Sequence, residues 1–377
     1  MYKIMTAGPT QVRENVRQAR SLVSTNPDLD EAFYDFYKET CDILAQLMHS
    51  SGRAYILGGE GILGLEAACA SLTEAGDRVL VLDNGIFGKG FKDFVTMYGG
   101  EPVLFTADYR RPINPAELRE FLDKDSDFKY ATVVHCDTPS GVMNDISAIC
   151  PLLAEYGIMS VVDSVAGMFG EYVNVDESSI DILCGGSQKA LSAPPGLTMV
   201  WVSDKAMAAM ENRKTPIAAF YANLLTFKNY YSDKWFPYTM PASDITGLRA
   251  AIDNVVSEPD IIERHHKIAE AARTAVRNAG LKLYLEDGFS NNVTVIEVPE
   301  GLTDTQILST MRDKYNVMIS GCFDVLAGKV IRVGHMGENA NREDMCMTFD
   351  AMDKTLEELG FELKCSLKEE FLKALDN

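Results

Sequence analysis

Two residues suggest the chemistry this sequence could do. Asp163 closes the apolar run IMSVVD (158–163), and Lys189 follows the run DILC (181–184) across Gly185-Gly186-Ser187-Gln188. The interval from 163 to 189 has room for a strand, a crossover and a second parallel strand, so both side chains can reach the same sheet edge, where open α/β sheets bind their ligands. A lysine amine and a carboxylate in one crevice form the pair that pyridoxal phosphate demands. The amine makes a Schiff base with the carbonyl, and the carboxylate keeps the pyridine nitrogen protonated so that the ring accepts electrons. Taken singly, a lysine is ordinarily a solvated surface charge, and a strand-end aspartate is often a helix cap or a turn residue.

The elements that must position this pair follow from periodicity. From about residue 50 to 205, short apolar runs alternate with helical patterns: AYIL (54–57), RVLVLD (78–83), YATVVHCD (130–137), IMSVVD (158–163), DILCGG (181–186) and TMVWV (198–202). That alternation predicts an α/β fold, a mostly parallel sheet covered by helices on both faces, with polar residues gathered at the strands' carboxyl ends. Between roughly 205 and 260 the pattern turns helical and aromatic, and a long helix after Asp244 ends near Ser257-Glu258-Pro259. Beyond it come a helix through 260–279, strand-like NNVTVIEV (291–298), a helix from Thr303, strand-like KVIRVG (329–334) and a helix from about Asn341, together a compact α+β unit. Ser366 and Glu369 have capping-box spacing ahead of a last helix that carries Leu367, Phe371 and Leu375 on one face. The chain thus reads as an N-terminal arm (1–17), a large domain (18–258) and a small C-terminal domain (259–377).

Residues 59–64, Gly-Glu-Gly-Ile-Leu-Gly, form a G-x-G-x-x-G between a strand and a helix, with Asp83 closing the next strand. This is the spacing of a dinucleotide fingerprint, which makes an NAD-dependent oxidoreductase one reading of the chain. Glycines ahead of a helix N-terminus equally let a single phosphate approach the exposed N–H groups, or simply make a tight turn.

Other blocks arbitrate. The lysine segment GSQKALSAPPG (186–196), with Gly59-Glu60-Gly61, NGIFG (84–88), DTPSGV (137–142), Val162-Asp163-Ser164 and Ile331-Arg332-Val333-Gly334, resembles the alanine-glyoxylate and serine-pyruvate aminotransferases of class V. The blocks stand in the family's order over nearly the whole chain. The resemblance implies the type I fold of pyridoxal-phosphate transferases, pyridoxal 5′-phosphate as cofactor, and a homodimer with shared active sites. It implies that Phe87 lies over the pyridine ring, where the alternative is a core phenylalanine, and that Thr138 bonds a ring substituent or the phosphate, where the alternative is a turn residue ahead of Pro139. Gln188 would contact the phosphate. Thr239, in the aromatic segment WFPYTMP (235–241), would help hold the partner's phosphate; from composition alone that segment could equally be a buried aromatic cluster. Arg332, among β-branched residues, would grip the substrate's α-carboxylate, against the alternative of a structural ion pair. The implied reaction is ping-pong transfer of an amino group from alanine or serine to glyoxylate or pyruvate. Transamination of 2-aminoethylphosphonate with pyruvate is an alternative, because a guanidinium grips phosphonate as well as carboxylate.

The chain also departs from that family, which usually has hydroxyl or imidazole groups where Glu60 and Ile62 stand and a tyrosine where Phe236 stands. Glu60 is an acid beside the expected dianion, so its side chain must point away or find a cation. The remaining phosphate donors would be the N–H groups of Gly61 and Ile62, with Gln188 and Thr239.

Composition bounds the rest. At 377 residues and 46% hydrophobic content the chain can bury a large core, and 35 basic against 55 acidic residues give a net charge of −20, which disfavours nucleic acid and anionic membranes. No basic leader or long apolar span is present, and the eight scattered cysteines read as reduced thiols, so a cytoplasmic protein is expected. The histidines indicate no metal; His265 and His266 read as solvated helix residues and His335 as a loop residue.

Overall fold

Apolar runs without polar interruption become strands buried on both faces. In the computed structural model, which describes residues 2–377, seven strands form one sheet. They are β1 (Arg53–Gly58), β2 (Arg78–Asp83), β3 (Glu101–Thr106), β4 (Tyr130–Val134), β5 (Met159–Asp163), β6 (Ile182–Gly186) and β7 (Leu197–Val202), in the spatial order β1-β7-β6-β5-β4-β2-β3. Strands β4 to β7 are buried along their whole length. Only β7 runs against its neighbours, β1 and β6. The cause is the connection 187–196, a bonded turn with no helix in it, too short for the crossover that a parallel return requires.

Three elements differ from expectation. Strand β3 was not anticipated: it lies at the sheet edge, pairs with β2 alone and is half-buried, so EPVLFT carries no sustained apolar run. The run 130–137 splits after Val134, and Cys136-Asp137 pair instead with Val142-Met143. Residues 212–241, expected to be helical, contain one 3-10 turn, Leu224–Phe227. Their aromatic rings form a cluster: Phe236 stacks on Tyr34 at 4.6 Å and Tyr221 on Tyr238 at 4.2 Å.

Helices α1 (Glu31–Leu47), α2 (Gly61–Leu72), α3 (Ile86–Met97) and α4 (Ile146–Glu155) pack against the sheet. Asp30 caps α1 by accepting from the Ala32 N–H at 3.1 Å. Helix α5 (Ala242–Val256) leads into α6 (Ile261–Asn278), and α7 (Asp304–Tyr315), α8 (Arg342–Glu358) and α9 (Leu367–Leu375) follow, with β8 (Val293–Glu297) antiparallel to β9 (Val330–Gly334). Thr303 and Gln306 complete a reciprocal capping box on α7. Ser366 caps α9 through the Glu369 N–H but turns its own hydroxyl to Asp353, while Leu367 and Phe371 are buried.

The apolar core has two principal parts. One runs from Val16 to Ile261 and takes in Met336; the other runs from Ile268 to Phe371 and takes in Met5. Lys3-Ile4 pair in parallel with Val317-Met318, so the start of the chain lies on the second part before it crosses toward the sheet. No described helix is long and apolar enough to cross a membrane.

Candidate active site

At the carboxyl ends of β1, β5 and β6 lies a cavity of about 190 Å³. Seven residues singled out from the sequence line it: Glu60, Ile62, Phe87, Thr138, Asp163, Gln188 and Lys189. Gly61 opens α2 beside them and lies so close to Val165 that an added Cβ would come within 2.8 Å of that side chain. Leu65, Cys136, Val165 and Ala166 complete the wall and were not anticipated. They are apolar or weakly polar residues that only the folded chain distinguishes from core.

Lys189 projects from the turn after β6. Thr10 ties that turn to the start of the chain, its N–H donating to the Gln188 carbonyl at 3.0 Å and its hydroxyl to the Lys189 carbonyl at 3.0 Å. The Lys189 Nζ donates to the Ala7 carbonyl at 2.9 Å, a contact 182 residues apart that no sequence pattern announced. Burial lowers the amine's pKa, opposed by Cys136 and Asp163. Gly8, at φ +100°, packs against the same side chain: an added Cβ would meet Nζ at 2.4 Å and Cδ at 2.5 Å. Gly8→Ala is therefore expected to push the flexible lysine out of place. Activity should fall about tenfold or more, with about 1–2 kcal/mol lost from stability through the left-handed backbone. Rate assays alongside thermal unfolding check this; an unchanged rate would show that the lysine does not need this seat.

Asp163 is 6 % exposed at the end of β5 and accepts from the Val165 N–H at 2.9 Å. Burial pushes its pKa up to about 7, against the pull of that N–H and of Lys189. A buried acid so poorly compensated by its own chain suits a cationic partner brought by a ligand. Behind it, Asp137 accepts from the Phe87 N–H at 3.1 Å and the Ser140 hydroxyl at 2.8 Å, and burial raises its pKa too. Asp137 thereby fixes the start of α3 and with it Phe87, a half-buried ring at the cavity that meets Phe323 edge-on at 6.1 Å.

Among the described residues Glu60 forms no ion pair. Its carboxylate accepts from the Gln188 side-chain amide at 2.9 Å, so the donor expected to serve a phosphate is spent on an acid. Arg332 is 8 % exposed and donates to the carbonyls of Gly321 (2.7 Å) and Thr138 (3.2 Å). It forms no ion pair among the described residues, so the structural ion-pair alternative is not what the fold builds. Arg332 does not line the cavity but holds the backbone of Thr138, which does. Thr239 is exposed and lies away from the cavity in a largely buried aromatic segment, its hydroxyl donating to Asp28 at 2.9 Å.

The dinucleotide reading fails on geometry. Asp83, which would have to grip a ribose, is 3 % exposed and already accepts from the hydroxyls of Tyr109 (2.7 Å) and Thr106 (3.2 Å). Gly64 serves packing: an added Cβ would lie 2.4 Å from the Thr198 hydroxyl on β7. One histidine also differs from expectation. His265 is buried on the inner stripe of α6, accepting from the Gly337 N–H at 2.7 Å, and burial pushes its pKa down to about 4. His335 is buried between Thr294 and the Asn291 carbonyl.

The chain is similar throughout its length to known aminotransferases. It is 33% identical over 365 residues to an uncharacterized aminotransferase of Methanocaldococcus jannaschii, covering 96% of this chain and 94% of that one. It is 33% identical over 341 residues to a pyridoxamine–pyruvate transaminase of Mesorhizobium japonicum, covering 89% and 86%. The crystal structure of ureidoglycine-glyoxylate aminotransferase from Bacillus subtilis superposes with a TM-score of 0.96 at 26% identity, covering 100% of this chain and 98% of the other. The sheet order, the lysine and aspartate at its edge and these likenesses agree with the match of residues 13–322 to the family Aminotransferase class-V. The chain therefore belongs to the class V aminotransferases, pyridoxal-phosphate-dependent enzymes of fold type I.

Proposed function

We propose that this aminotransferase moves an amino group between a small amino acid of the alanine or serine type and a 2-oxo acid of the glyoxylate or pyruvate type. The observation that carries the reading is the meeting of Lys189, Asp163 and Phe87 around one small cavity. When bound there, a pyridoxal ring supplies a carbonyl carbon and an electron-poor system that stabilises negative charge beside it.

The roles of the chain's own residues follow from their placement. Asp163, poorly compensated and buried, holds a proton on the ring nitrogen by charge. Phe87 restrains the ring face, and the Thr138 hydroxyl orients a ring substituent. Lys189, seated against Ala7, is half-buried and has a lowered pKa, so its Nζ can act as base and acid. It would take the proton from the substrate Cα and deliver it to the ring's carbonyl carbon, which receives the amino group. Arg332 has two of its nitrogens on carbonyls and keeps Nη2 for a carboxylate.

The same reading assigns residues 18–258 to a large domain and 259–377 to a small one. It makes the molecule a cytoplasmic homodimer in which Thr239 enters the partner's site. Exposed Phe220, Tyr221 and Trp235 on the same stretch support the pairing, and eight unpaired cysteines suit a reducing compartment. The near-visible absorption of purified protein carrying a pyridoxal compound tests the function. A band that bleaches with one amino acid and returns with a 2-oxo acid is expected; a band indifferent to every amino acid would overturn the assignment.

A further inference from the structure

We propose that the crevice takes its pyridoxal ring without the phosphate, as pyridoxal or pyridoxamine with a neutral hydroxymethyl arm, and that this compound is a substrate that leaves after each half-reaction. The inference rests on the aminotransferase reading above. It begins from a misfit: the ring end of the family's cofactor suits this site, and the phosphate end does not.

Three observations define the misfit. First, the acids on the wall are Glu60 and Asp163, and the only cation is Lys189, whose amine is committed to the ring carbonyl. Second, Glu60 stands at the cap position of α2; its side chain makes no bond to the helix N–H groups and is turned to Gln188, but its charge lies at the helix end that would otherwise receive an anion. Its carboxylate has no ion-pair partner among the described residues, and a dianion beside it would meet an uncompensated like charge. Third, Gln188 is 7 % exposed, and its Oε1 has no hydrogen-bond partner. Turning the amide over would set that oxygen against the Glu60 carboxylate, so the orientation is fixed by the bond it makes. A buried acceptor beside a carboxylate calls for a donor. A hydroxymethyl group supplies one, and a phosphate dianion does not. Elsewhere the donors are few: Thr138 carries the one side-chain hydroxyl on the wall, and the Thr239 hydroxyl is turned to Asp28.

Loss of the phosphate changes the role of the ring. In the amine form the ring has no covalent bond to Lys189, and with no charged anchor it is free to exchange. The net step is then pyridoxamine plus a 2-oxo acid giving pyridoxal plus an amino acid. The ring's aminomethyl carbon is oxidised to an aldehyde by two electrons and the oxo carbon is reduced by the same two. The amino group changes carbon, and Lys189 carries the proton from one carbon to the other; no further reactant is needed.

Spectroscopic titration of the full-length protein with pyridoxal and with pyridoxal 5′-phosphate tests this, alongside turnover of pyridoxamine and of pyridoxamine 5′-phosphate with pyruvate and glyoxylate. The expected result is that pyridoxal binds at least about tenfold more tightly than its phosphate, and that Glu60→Gln reverses or erases the preference. Turnover of free pyridoxamine should be stoichiometric with the 2-oxo acid over many cycles. If the protein holds the phosphate ester more tightly and transaminates amino acids with it, the inference is wrong and the aminotransferase reading stands. If neither compound binds at Lys189, both fall.

Discussion

Replacing Lys189 by alanine is expected to lower amino transfer by roughly 10²–10⁴-fold or more, because the proposed mechanism asks one group both to bond the ring carbonyl and to move the proton. The variant should lose the near-visible band of the bound ring. It should still fold: the deleted amine leaves one hydrogen bond to the Ala7 carbonyl unmade at a site open to the cavity, worth about 1 kcal/mol. Thermal unfolding and absorption measured on one sample separate these effects. A small amine such as methylamine should restore part of the proton transfer in the space vacated. Turnover within tenfold of wild type, without added amine, would remove Lys189 from the mechanism.

Asp163→Asn should act in opposite directions on catalysis and on stability. The amide keeps the shape and the acceptor for the Val165 N–H but cannot hold a proton on the ring nitrogen by charge. Loss of such preorganised electrostatics costs about 10²–10³-fold in rate. The ligand-free protein behaves otherwise. Because burial raises the Asp163 pKa from 3.8 to about 7, the folded chain holds a proton there that the unfolded chain has released. Its contribution is favourable below pH 4 and is lost as pH rises through about 7, an effect of up to about 4 kcal/mol. The asparagine variant lacks this titration. Without ligand it should therefore match wild type near pH 4 and exceed it in stability at pH 8, as denaturant unfolding at the two pH values would show. A variant that is less stable at both would mean that Asp163 is held ionised by something other than a ligand. The expected gain at pH 8 would instead show that the ionised, ligand-free Asp163 costs stability, a cost recovered when a cationic ring nitrogen enters.

Much of the site was legible because its residues sit at predictable places on strands. Asp163 ends an uninterrupted apolar run and Lys189 follows another, and a parallel sheet brings such ends to one edge whatever else the chain does. Phe87, Thr138, Gln188 and the loop at Glu60 came with the motifs around them, and the cavity wall contains all four. The G-x-G-x-x-G pattern was legible but ambiguous, since the same glycines serve a phosphate, a dinucleotide or close packing. Only the hydroxyls already on Asp83 and the contact of Gly64 with Thr198 separate these. Edge strand β3 and the buried His265 escaped because half-buried strands lack a clean period, and a histidine's burial depends on which face of its helix meets the rest of the chain.

By itself the sequence determined the fold class and the placing of Lys189 and Asp163 at one sheet edge, because strand periodicity and motif order are properties of neighbours along the chain. The tertiary structure alone decided what each charged or polar group faces. Across long separations it set the Ala7 carbonyl against Lys189, left Arg332 without a carboxylate and paired Gln188 with Glu60. Those contacts govern what the site accepts, and no local pattern specifies them, since a hydrogen bond between residues more than a hundred positions apart exists only once the core has packed.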